Sequence, residues 1–225
     1  MKEDLSLSLT YNQKKILFDS RNIDEKVYDY LDSILNNLYI NIGGMDNGTI
    51  MDLMIKEKLA GWCWQTTESA IVFFQDYDYI VRGELYLDDD NPKYFHSWIR
   101  FKFEGNEYIF DPCLNIVSTK DDYNKLFRPK IKGLASAKVV KQELIKQVNE
   151  YVPGDNTKYF EELNKIMRLN KSYIKYCDDY QKDVKVGGKK SNPNDPLFHN
   201  AAGYNVELEG NKVKKINAYY YYRCK

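Results

Sequence analysis

A chain of 225 residues that carries 33 basic and 33 acidic side chains has no net field with which to gather nucleic acid or an anionic membrane. Its hydrophobic fraction of 43% and its 20 tyrosines suffice for one generous core, or for a core domain with an appended region. No stretch reaches transmembrane length, and the opening MKEDLSLSLTYNQKK has no apolar segment of the kind a secretion signal needs, so the expected compartment is the cytoplasm.

Residues 24–37, DEKVYDYLDSILNN, set Val27, Tyr30, Leu31 and Ile34 at helical spacing behind an acidic start and predict a helix that ends near Asn36-Asn37. YINIGGMDNGTI then breaks into Gly and Asn punctuation and reads as a loop. Helical spacing returns over 50–61, IMDLMIKEKLAG, and stops at Gly61. From Cys63 onward Thr67, Ala70, Ile71 and Phe74 recur at three and four residues, which predicts a helix facing the core with Cys63 in its first turn.

YIVRGELYL reads as a strand and DDDNPK as a turn. YFHSWIRFKF and NEYIFDP alternate strictly about Glu-Gly or Gly-Asn, a strong hairpin signal. Beyond about residue 118 the character changes: 136–152 and 156–177 have amphipathic helical spacing, and 185–196, KVGGKKSNPNDP, has linker composition, its lysines a solvated run. GYNVELEGNKVKKINAYYYYR predicts a second hairpin that again turns at Glu-Gly-Asn, with the tyrosines at 219–222 as an edge strand.

Cys63, Cys113, Cys177 and Cys224 lie far apart without a Cys-x-x-Cys pair, so reduced thiols are expected. Only His96 and His199 could complete a zinc cluster with them, and no metal site is expected. A reactive cysteine needs a base to take its proton and a group to orient that base. At a helix N-terminus the unpaired backbone N–H groups favour negative sulfur at Cys63, and the same groups could donate to an oxyanion. His96 is the only histidine inside a predicted strand, and Asp111 ends the partner strand, where it could accept from the second imidazole nitrogen.

Sheet parity constrains this pairing. A turn at Gly105-Asn106 puts Arg100 opposite Asp111 and leaves His96 on the same face, roughly 13 Å away along the strand. A turn at Glu104-Gly105 brings the two to a diagonal offset of two residues. Both registers keep them on one face.

GWCWQTTESA, YFHSW and EYIFDP resemble, in order, the three motifs of the transglutaminase-like superfamily of papain-like Cys-His-Asp cysteine enzymes: a Gly-x-Cys-Trp helix start, a His-x-Trp strand and an aromatic strand ending in Asp-Pro. The resemblance covers about residues 60–115, and Asp111 follows His96 by fifteen residues, as in that family's hairpin. It implies an α+β fold in which an antiparallel sheet packs against the cysteine-bearing helix, with further C-terminal helices and a hairpin. Residues 1–118 would then form the catalytic core with its N-terminal helices, and 119–225 a helical region and hairpin packed on the same domain. The resemblance assigns Cys63 as nucleophile, His96 as general base and acid, and Asp111 as the orienting carboxylate. Trp64 and Trp98 match the flanking aromatics, expected beside the substrate and shaping the core rather than reacting.

The implied chemistry is acyl transfer through a thioester on a peptide bond or a glutamine amide. Protein or peptide is the implied partner. No cofactor is required, although some relatives depend on calcium. The two-cysteine zinc motif of the peptide-N-glycanase branch is absent, and so are the Gln before Cys and Asn after His of papain-like proteases. No upstream oxyanion side chain maps onto NNLYINIGG. The competing reading, a silent binding module on the same scaffold, is disfavoured because all three residues are retained. Cys113 shares the face of Asp111 and reads as a core or loop thiol near the site, and His199 reads as a loop residue.

Overall fold

The computed structural model describes residues 23–42, 48–56, 59, 62–86, 94–149 and 201–221. Helix α1 (Glu25–Leu35) begins where an acidic cap allows it: the Asp24 side chain accepts from the Lys26 N–H at 3.0 Å. Val27, Leu31 and Leu35, spaced one turn apart, are all buried, each contributing about 1.5–3 kcal/mol over an exposed position.

The segment expected as a loop contains two strands, β1 (Leu38–Ile42) and β2 (Gly48–Thr49). Leu38, Ile40 and Ile42 point inward and alternate with Tyr39 and Asn41, a period of two that the neighbouring Gly and Asn residues obscured. Helix α2 (Ile50–Ile55) is capped by Thr49, whose hydroxyl accepts from Asp52 N–H, and it ends at Lys56 rather than running to Gly61.

Helix α3 (Cys63–Ala70) follows, extended by a 3-10 turn at Ile71–Phe73. The central hairpin flanks come next: β3 (Tyr79–Leu85), β4 (Tyr94–Phe103) and β5 (Asn106–Asp111). Three elements that the sequence did not announce come after them, β6 (Ile116–Thr119), α4 (Lys120–Phe127) and β7 (Lys130–Ser136). Helix α5 (Ala137–Asn149) matches the expected helix at 136–152 over its described part. The expected hairpin is β8 (Ala201–Glu209) with β9 (Lys212–Tyr221). The predicted turn at 88–93, helix at 156–177, linker at 185–196, and His199, Cys177 and Cys224 lie outside the described residues.

Two sheets result. The larger is antiparallel throughout, in the order β6-β5-β4-β3-β7, and the smaller runs β2-β1-β9-β8 with β1 parallel to β9. Strand β9 is therefore interior, paired on both sides, which corrects the edge-strand reading of the tyrosines at 219–221. Its second partner, β1, lies some 180 positions earlier in the chain, beyond the reach of local pattern. Each half of the chain supplies strands to both sheets, and β6 spans the position of the expected boundary at 118. Among the described residues the architecture is mixed α+β with two sheets and five α-helices.

Helix α3 lies between the sheets. Its Thr67 hydroxyl meets Ser97 of β4 at 2.8 Å, while Ser69 meets the Tyr220 hydroxyl of β9 at 3.0 Å. On the same side the Trp62 ring stacks on Tyr220 at 4.9 Å between centroids. The five residues Thr66 to Ala70 are consequently all buried, polar ones included, and each polar group needs a partner inside the protein. The large sheet has a core on both faces: Ile80, Ile99, Phe101 and Phe110 on one, Val81, Trp98 and Ile109 under α4 on the other. Among the described residues no helix is long and apolar enough to cross a membrane.

Candidate active site

The β4–β5 turn sets the register. Glu104 and Gly105 both have positive φ, 47° and 83°, the signature of a two-residue type I′ turn. Phe103 pairs with Asn106 and Ile99 with Phe110, so the Glu104-Gly105 register holds. His96 and Asp111 stand at the diagonal offset of two, and His96 Nε2 donates to Asp111 Oδ2 at 2.7 Å. Both are buried, His96 at 6% exposure and Asp111 at none.

The β4–β5 ladder stops at Ile99 and Phe110. Alongside His96 the chain turns away through 112–115 toward helix α3, where Cys113 reaches the Thr66 hydroxyl at 3.4 Å. Cys63 lies close enough to the imidazole for its charge to act on His96, whose Nε2 is held by Asp111. The three sequence-predicted groups therefore converge, with the imidazole between sulfur and carboxylate.

The sequence around Cys63 positions it locally. Helix α3 has no side-chain cap at its N-terminus, where Trp62 is the cap residue, so no hydroxyl or carboxylate of its own occupies the positive end of the dipole. Thr67, one turn on, donates to the Cys63 carbonyl at 2.7 Å and meets Ser97, whose hydroxyl in turn donates to the Val81 carbonyl at 3.1 Å. Ser97 is the immediate neighbour of His96. This relay fixes the helix start against the strand that carries His96.

Electrostatics favour a charged imidazole. Burial alone would hold His96 down, but the negative charges of Asp111 and Cys63, with the imidazole donating to Asp111, outweigh it and push the group up to about 10. Asp111 is itself well provided for. Its Oδ2 also accepts from the Tyr123 hydroxyl at 2.8 Å, and its Oδ1 from the Leu114 N–H at 3.1 Å. Tyr123 was missed in the sequence because helix α4 was; its Tyr sits within a charged run, KDDYNKLF, whose buried residues are only Tyr123, Leu126 and Phe127.

Cys113 is a second thiol beside the first, but a structural one. Its S–H donates to the Leu59 carbonyl at 2.8 Å, and burial, then the charges of Cys63 and Asp111, push it well above the ordinary thiol range. Trp98 lies in the core: at 2% exposure it packs between His96 and Tyr123, with centroids 6.4 and 5.6 Å away. Trp64 is half-buried, with the Arg82 guanidinium 4.2 Å from its ring centre. Arg82 pairs with Glu68, one helical turn beyond Trp64, and burial pushes Glu68 up to about 7 against the pull of that arginine.

Gly83 pairs with His96 across β3–β4. A Cβ there would lie 2.5 Å from the Lys130 carbonyl oxygen and 3.0 Å from the Trp98 ring, so only glycine lets β7 approach behind His96. Among the described residues no group of three or more His, Cys, Asp or Glu side chains could hold a metal ion. No family model matches the chain, and neither a curated protein nor a solved structure matches it.

Proposed function

We propose that the chain is a thiol-dependent enzyme of transglutaminase-like fold that opens amide bonds of proteins or peptides through a thioester at Cys63. The observation that carries this reading is a single buried imidazole beside a cysteine at a helix start and hydrogen-bonded to a carboxylate that accepts two further donors. Resemblance of the three motifs supports it independently of the geometry.

The chemistry follows from the charges. His96 beside the sulfur carries the proton while the sulfur acts as nucleophile. The sulfur attacks the amide carbonyl carbon, a C–S bond forms, and the carbonyl oxygen becomes the oxyanion of a tetrahedral adduct. The C–N bond then breaks, and the amine leaves with the proton from His96. Forming the thioester removes the sulfur charge that helped hold the imidazole up, which makes His96 a better acid at the step that needs one. Neutral His96 next takes a proton from water, which attacks the thioester and releases acid and sulfur. An amine in place of water gives a new amide.

The test is release of ammonia or of a new peptide amine from a glutamine-containing peptide library, with and without an added primary amine. Turnover by the native chain and none by Cys63→Ala supports the reading. A folded native chain that turns over no member of the library, with Cys63 no more reactive than a free cysteine, favours the silent binding module.

A further inference from the structure

We infer that Tyr123 is a positioning residue that sets how tightly Asp111 holds the proton on His96. The inference rests on the reading of His96 as the proton carrier and adds a group from an element outside the three motifs.

The observation is that two donors share one oxygen. His96 Nε2 and the Tyr123 hydroxyl, at 2.7 and 2.8 Å, both address Asp111 Oδ2, while Leu114 N–H holds Oδ1. Carboxylate, phenol and the Trp98 indole beside them are buried, so no solvent competes for that oxygen. In such surroundings each donor draws on the same negative charge, and a second donor weakens the pull on the first. The phenol is held where it can act: the Tyr123 ring packs on Trp98 at 5.6 Å and on Phe127 at 4.7 Å, and Trp98 in turn stacks on His96. Helix α4 is fixed at its start by the Thr119 hydroxyl, which accepts from Asp122 N–H.

The titratable groups around this carboxylate and its histidine are few. Helix α3 brings Cys63, the turn after β5 brings Cys113, and α4 brings Tyr123, while Gly83 of β3 opposite His96 brings none. Tyr123 stays a neutral donor throughout, since burial first, and then the Asp111 charge, push its hydroxyl well above the ordinary tyrosine range. An acid that must surrender its proton to a leaving amine is helped by a carboxylate whose charge is shared. The phenol supplies that sharing without carrying charge itself.

The chain has two histidines, so imidazole carbon-13 signals of labelled protein give two titrations, and the one missing from His96→Asn identifies His96. In Tyr123→Phe the His96 midpoint is expected to rise by about half a unit or more. A folded Tyr123→Phe whose midpoint stays where the native one lies overturns the inference, because a tyrosine that only fills space would lower stability and leave the titration alone. Should that variant fail to fold, 3,5-difluorotyrosine placed at 123 keeps the volume and strengthens the donor. The midpoint must then fall, and an unmoved midpoint overturns the inference equally. The native midpoint speaks separately to the reading beneath: a value near 6.5 contradicts the charged pair with Cys63, whichever way the variants behave.

Discussion

The two long hairpins of this protein, β4–β5 and β8–β9, turn on the same three letters, Glu-Gly-Asn, yet use different pairs of them. The first closes on Glu104-Gly105 between Phe103 and Asn106, the second on Gly210-Asn211 between Glu209 and Lys212. Away from the turns they diverge further. The first carries His96 and Asp111, a buried charged pair beside a cysteine, whereas the second carries Tyr220, whose ring stacks on Trp62 and whose hydroxyl meets Ser69. Both reach the same helix α3, one with the proposed reactive groups and one with packing. A hairpin is thus a neutral local device, and its role is decided by what its far end meets.

That contrast can be broken from either side. The largest expected effect is on the first hairpin: His96→Asn should lower amide turnover by about 10²–10⁴-fold, the usual worth of a positioned proton carrier, measured as ammonia release. Tyr220→Phe in the second hairpin should leave turnover within a few-fold. Next comes pH. His96 is raised above its ordinary value of 6.5 to about 10, so the stability it contributes is complete below 6.5 and is lost as pH rises toward 10. Urea unfolding should lose up to about 1.4 kcal/mol per pH unit across that window on account of this one group, and His96→Asn should flatten the slope.

Gly83→Ala should destabilise by about 1–3 kcal/mol, the range for overpacking, because the added carbon meets a backbone carbonyl rather than a side chain that can move. Smallest is Tyr220→Phe itself, at about 0.5–1.5 kcal/mol for one hydrogen bond, since Ser69 retains the Thr66 carbonyl as acceptor at 3.2 Å. Thermal unfolding of both variants checks the order.

The sequence made the three proposed reactive side chains legible because each carries a local signature. Cys63 follows a glycine at a helix start, His96 lies in an alternating strand, and Asp111 precedes a proline. Alternation also narrowed the hairpin to two registers, and the positive φ of Glu104 decides between them. What supports the site was not legible. Thr67 with Ser97, Glu68 with Arg82, and Tyr123 with Asp111 are pairs made by tertiary packing, and nothing in a linear pattern specifies their partners. Helix α3 was expected to bury one face and buries a polar run as well, because a second sheet, built on a strand read as a loop, covers its other side. Strand β1 was hidden by Asn41, by the Gly and Asn residues on either side of it and by a partner at the opposite end of the chain.

The most direct measurement is the rate of iodoacetamide alkylation at Cys63, resolved from the other cysteines by peptide mass spectrometry, between pH 5 and 9 in native protein and His96→Asn. A sulfur paired with a cationic imidazole predicts a native rate that changes only a few-fold between about pH 6 and 8, while the variant loses about tenfold per unit below the ordinary thiol range near 8.5. Native and variant profiles that coincide, both falling as a free thiol does, would contradict the account.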